Sequence, residues 1–149
     1  MILDERNEFA DATALSTAAT GRALVGDVID LGATSSDIGN GQPLYLVIQV
    51  DTDVTSAGAA TVSFELASDA SASIATDGSA TVHAVTAAIP KASLVAGYVA
   101  AAVALPIGSY ERYLGILQNV GTAALTAGKV NAFLTTNVAK WVATADGIA

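Results

Sequence analysis

His83 is the chain's one histidine, and histidine is the side chain best placed to move protons near neutral pH. It stands in Thr81-Val82-His83-Ala84-Val85, where alternation turns it away from the face that carries Val82. To act as the base of a triad it would need a nucleophile and an orienting carboxylate beside it in space. No serine here sits in a Gly-x-Ser-x-Gly elbow, so a structural or solvent-facing histidine is the expected role. Asp51-Thr52-Asp53 looks like part of an oxygen-ligand calcium loop, but the further carboxylates and closing Glu of an EF-hand are missing. These aspartates are expected to end a strand and solubilise its turn. Glu65, Asp69, Asp77 and Glu111 could supply a glycosidase acid and base only if the fold set two of them at the right separation, and acidic side chains are ordinary on any wetted surface. Gly26-Asp27 and Gly39-Asn40-Gly41 match neither a Gly-Lys-Ser/Thr phosphate loop nor a strand–Gly-x-Gly-x-x-Gly–helix unit, and read as turn punctuation. No catalysis, cofactor or metal is expected.

Composition narrows the partners. The 149 residues fit one domain, 1–149, large enough to enclose its own core without staples. The absence of cysteine excludes disulfides, thiolate metal sites and thiol nucleophiles. A formal charge of −8 with six scattered basic residues opposes binding to phosphate backbones, so no nucleic-acid partner is expected. Charged residues make up 13% of the chain, against about 25% in ordinary domains. An exterior so poor in charge suits a protein largely covered by partners. The opening Met1-Ile2-Leu3-Asp4-Glu5-Arg6 has no basic leader or long apolar stretch, so no secretory leader is expected there. The longest uncharged run, between Lys91 and Glu111, is broken by Gly97, Pro106 and Gly108, so no membrane association is expected.

Short alternating runs dominate the chain. Leu44, Leu46, Ile48 and Val50 share one parity, and Val62, Phe64 and Leu66 alternate with Thr61, Ser63 and Glu65. Val99, Ala101, Val103 and Leu105 form another face, ahead of a break at Pro106-Ile107-Gly108 and a strand over 112–120. Val130, Ala132 and Leu134 alternate with Lys129, Asn131 and Thr135, with Phe133 on the second face. Weaker strands are expected over 25–31, 81–86 and 71–75, with Asp77-Gly78 as a hairpin turn. Segments 54–60 and 67–79 read as loops or mobile turns, and 9–19 as one or two helical turns. About eight strands predict an all-β, jelly-roll-like antiparallel β-sandwich with short irregular arms at both ends, over 1–20 and 137–149.

The arms hold the candidate contact residues. Ile2, Leu3, Phe9 and Leu15 are large apolar side chains in a segment without strand alternation, so they need a surface to cover. Trp141 lies beyond the last convincing strand, where it either packs beneath the sandwich or anchors an interface, a setting rich in tryptophan.

Taken in order, several pieces resemble the cement, or decoration, proteins of tailed-phage heads. They are Met1-Ile2-Leu3-Asp4, Phe9-Ala10-Asp11-Ala12 with Leu15, Val28-Ile29-Asp30-Leu31-Gly32, and Asp37-Ile38-Gly39 leading to Pro43-Leu44-Tyr45 and Val50. Glu111-Arg112-Tyr113-Leu114, the run Gly128-Lys129-Val130-Asn131-Ala132-Phe133-Leu134-Thr135 and the tail 141–149 complete the match. The resemblance implies a jelly roll on the outside of the virion, made in the host cytoplasm, with the major capsid protein as partner. It implies self-association too, a homodimer ahead of a trimer, and many copies bridging neighbouring capsid subunits. The alternative expectation is a carbohydrate-binding jelly roll on the virion surface, since fold alone does not decide between them. A small hydrolase is the third reading, and it would depend on His83.

Overall fold

The computed structural model describes residues 4–32, 38 and 41–138. Among them the chain forms β1 (Glu8–Ala14), β2 (Gly21–Asp30), β3 (Tyr45–Thr55), β4 (Thr61–Asp69) and β5 (Thr81–Val85). Then come the two-residue β6 (Ile89–Pro90), β7 (Val99–Ala104), β8 (Tyr113–Gly121) and β9 (Ala127–Thr135). Helix among the described residues is limited to two 3-10 turns, Glu5–Asn7 and Lys91–Ser93. None is long and apolar enough to cross a membrane. The uncharged stretch after Lys91 becomes β7 and its flanking turns.

Two antiparallel sheets make a sandwich, one in the order β1-β9-β3-β7 and the other β2-β8-β4-β5, with β6 also pairing β4. The pairing is nested: β1 with β9, β2 with β8, β3 with β7, and β4 with β5. The chain is therefore one long hairpin rolled on itself, which is the jelly-roll plan. Contacts of β3 with β9 and of β4 with β8 join the rolled pairs into sheets.

Strand alternation places the core. Leu46, Ile48 and Val50 of β3 and Val130, Ala132 and Leu134 of β9 point inward. They meet Val62, Phe64 and Leu66 of β4 and Leu114, Ile116 and Val120 of β8 in a single buried cluster. A second, smaller cluster forms on the outer face of the other sheet. There Ile74, from the loop after β4, packs with Ala67, Ala80 and Leu117.

Five expectations are corrected. The stretch 9–19 holds no helical turn, and the N-terminal arm is not irregular throughout, because Glu8–Ala14 is strand β1. It fills the edge beside β9, but Ala12 at φ 44° and two register shifts break its period, so Phe9 and Ala10 are both buried. Residues 71–75 are bends rather than a strand, because Ile74 serves the outer cluster. The supposed loops 54–60 and 67–79 begin inside β3 and β4. Gly26 is not turn punctuation either. It sits inside β2, at a register shift, with φ +66°, and a Cβ there would lie 2.0 Å from the Phe9 carbonyl oxygen. Only glycine allows β1 and β2 to approach so closely.

Candidate interaction surface

Of the five expected contact residues, Ile2, Leu3 and Trp141 lie outside the described residues. Phe9 and Leu15 are 1% and 3% exposed and belong to the main core. Leu15 is fixed further by its N–H, which donates to the Gly128 carbonyl. Their expected role as an interface is therefore corrected: the surface they cover is the chain's own sandwich.

His83 stands at the inner edge of β5. Its Nε2 lies 2.7 Å from Ser68 Oγ, and its ring stacks on Tyr110 at 4.1 Å between centroids. Ser68 Oγ also accepts the Glu111 N–H at 3.1 Å. A serine–histidine contact is thus present, and sequence reasoning missed it because the partners are 15 residues apart on different strands. Ser68 is fully buried, so no carbonyl carbon can reach it. The Glu111 carboxylate accepts the Thr81 hydroxyl. Burial pushes the His83 pKa down, with Glu111 pulling weakly upward. This is the chemistry of a strand clamp.

The other candidate carboxylates are also occupied. Glu65, expected to face water, is 2% exposed and pairs with Arg22 at 2.8 Å, with Asn119 donating to its second oxygen at 3.2 Å. Asp69 accepts from the backbone of Ser71 and Ala75, and Asp77 from both the N–H and hydroxyl of Ser79. Asp51 and Asp53 lie within β3 rather than ending it, and Asp53 caps the Ala96 N–H at 2.7 Å. Among the described residues no three His, Asp or Glu side chains converge as metal ligands.

The two ends of the sheets differ in chemistry. At the β1–β2 corner, Glu5, Glu8, Asp11 and Asp27 line a shallow acidic hollow. Burial raises the Glu8 pKa, and the charges of Asp11 and Glu5 add to the rise. At the opposite ends of both sheets stand β5 and β7, each hydrogen-bonded to one neighbour among the described residues. Between Asp77 and Glu111, the stretch that builds both, Lys91 is the one charged side chain. Lys91 is turned inward to the Ser56 carbonyl.

Apolar side chains take the place of charge along this seam. Val95, Tyr98 and Val99 are exposed at one end of β7 and Val103 at the other. Ile107, on the turn after β7, is 84% exposed. Between the two edge strands lies a cleft of about 300 Å³, walled by Leu46, Phe64, Leu66, Ala84, Ala101 and Val103. The uncharged run was legible in the sequence. Its gathering on one side of the molecule was not, because β5 and β7 come together only when the hairpin rolls.

Fold and surface together define a jelly-roll β-sandwich with an acidic corner opposite an apolar, charge-poor seam. The chain belongs to the Bbp16 family, whose model matches residues 9–134. No curated protein matches the chain.

Proposed function

We propose that this chain is a structural virion protein that performs no catalysis. It binds the outside of a tailed-phage head and bridges major capsid subunits, stabilising the DNA-filled shell. The observation that carries the reading is the β7 edge, where Val95, Tyr98, Val99 and Ile107 stand exposed in a stretch almost free of charge. A surface of this kind gains by being covered with protein, since burial of apolar area contributes roughly 25 cal/mol per Å². On its outer side β7 has no hydrogen-bonded neighbour among the described residues, and such an edge is a ready means of strand addition. Membership of the Bbp16 family supports a phage setting, and the sequence resemblance to head decoration proteins points the same way.

Many copies on one shell turn a modest free energy per contact into a large total, and two-point attachment multiplies apparent affinity. Self-association as a dimer would supply the two points. The carbohydrate-binding alternative needs aromatic platforms, and among the described residues Tyr98 is the one aromatic exposed enough to count as a large surface hydrophobic. Purified protein mixed with capsids that lack it should co-sediment saturably, while a glycan array stays blank. Array binding without capsid binding would replace this reading with the alternative.

A further inference from the structure

We infer that the apolar cleft between β5 and β7 is the docking site of this chain's own C-terminal tail, with the Trp141 indole as the plug. The cleft opens into the main core, since Leu46, Ile48, Phe64 and Leu66 belong to both. Val103 shows why the site is incomplete. It pairs with the buried Leu46 and shares its inward face, yet remains 42% exposed because no strand lies beyond β7 among the described residues.

The lining specifies the occupant. Thr86 is its one polar side chain, and that hydroxyl already accepts the Phe64 N–H and donates to the Ala87 carbonyl. No lining side chain is left to orient a sugar or an ion, and the side chains that wall the cleft are otherwise apolar, which suits an apolar occupant. Its volume of about 300 Å³ lies at the lower limit of small-molecule pockets, the size for one bulky ring rather than an extended ligand.

The place where the described chain ends selects the tail. Thr135 closes β9 in register with Tyr45, which is in turn in register with Ala104, beside Val103. The chain thus leaves the sheet two strands from the cleft, about 9.5 Å away at the usual strand spacing, on the same end of the sheet. It turns there, the Asn137 N–H donating to Thr135 Oγ1, and Val138 is partly buried. Six residues from Thr135 to Trp141 span up to about 20 Å, enough for the lateral step and the roughly 10 Å between sheets. The N-terminus is a poorer candidate, because β1 lies three strands from β7.

Trp141 is the only tryptophan in the chain, so intrinsic fluorescence reads this site alone. The native protein should emit blue-shifted light and be quenched by acrylamide several-fold less than the urea-unfolded chain. Val103→Asp, at an exposed edge position that tolerates polarity, should restore most of the quenching while circular dichroism keeps its strand signature. Trp141→Ala should open the cleft to a hydrophobic dye that the native protein does not bind. A red-shifted, freely quenched tryptophan indifferent to Val103→Asp would overturn the inference. So would a blue shift lost on dilution, which would assign the tail to a second copy. None of these measurements involves capsids, so this inference and the functional proposal can fail separately.

Discussion

Gln118 reaches across from the inner face of β8 and holds both backbone groups of Ser16. Its Oε1 accepts the Ser16 N–H at 2.7 Å, and its Nε2 donates to the Ser16 carbonyl at 3.0 Å. A glutamine 1% exposed among apolar core residues is tolerated because both ends of its amide are satisfied. The pair fixes the link between β1 and β2, two strands in different sheets.

Gln118→Leu keeps the volume and removes both partners of Ser16. The expected loss is about 1–3 kcal/mol, the usual cost of partly buried polar groups left unmade. Urea unfolding followed by circular dichroism should show a lower midpoint with an unchanged slope.

Gly26→Ala should cost more, on the order of 3 kcal/mol, because it adds steric overlap to left-handed strain. The new methyl would collide with the Phe9 carbonyl that now lies against Gly26. Gly97→Ala is the matched control. Its φ is +85°, but nothing lies within 4 Å of the added carbon, so it should lose only about 1–2 kcal/mol. Equal losses in the two variants would show that the close approach of β1 and β2 carries no weight.

Stability should fall as pH drops below 6.5. Burial holds the folded-state pKa of His83 below that ordinary value, so the unfolded chain binds the proton more readily in the window just beneath it. The stabilisation is complete above 6.5 and is lost progressively on the acid side. His83→Gln should flatten this part of the profile. A separate loss belongs below about 3.8, where Asp30 and Asp77 titrate. Asp30 is held down chiefly by Arg112, and Asp77 by the Ser79 hydroxyl. Glu8 acts in the opposite sense: its raised pKa means that protonation above its usual 4.5 relieves a strain at the acidic corner. Thermal midpoints measured from pH 8 to pH 3 would resolve the three contributions.

How much of this could be read from the sequence depended on whether a strand kept its period. β3, β4 and β9 alternate cleanly or nearly so, and their inward residues were identifiable from parity alone; β8 was legible only as a strand, because Gln118 faces inward and Leu117 outward. β1 was not, because the bulge at Ala12 puts Phe9 and Ala10 on the same side of burial. Glu65 misled for a related reason. Parity correctly placed it on the outer face of β4, but Arg22 and Asn119 close over it there. Phe9 and Leu15 were recognised as apolar residues in need of cover, yet a linear pattern does not say whose surface provides it. The apolar seam was half legible: the uncharged run stood out, whereas the meeting of β5 with β7 depends on topology.

Substitutions on the seam should separate binding from folding. Ile107→Asp changes a side chain that is 84% exposed, so its thermal midpoint should stay within about 0.5 kcal/mol of the parent in stability terms. Its affinity for capsids should nevertheless fall about tenfold or more if Ile107 is a central anchor, since such residues contribute 2 kcal/mol or above. Asp11→Asn, at the acidic corner, should leave capsid binding unaltered.

The most direct measurement is retention of DNA by heads lacking this protein, heated with and without saturating amounts of the purified chain. Added wild-type protein should bind to a fixed number of copies per head and raise the temperature at which DNA escapes, while Ile107→Asp should do so only at much higher concentration. DNA release at an unchanged temperature, with the protein left in the supernatant, would contradict the account.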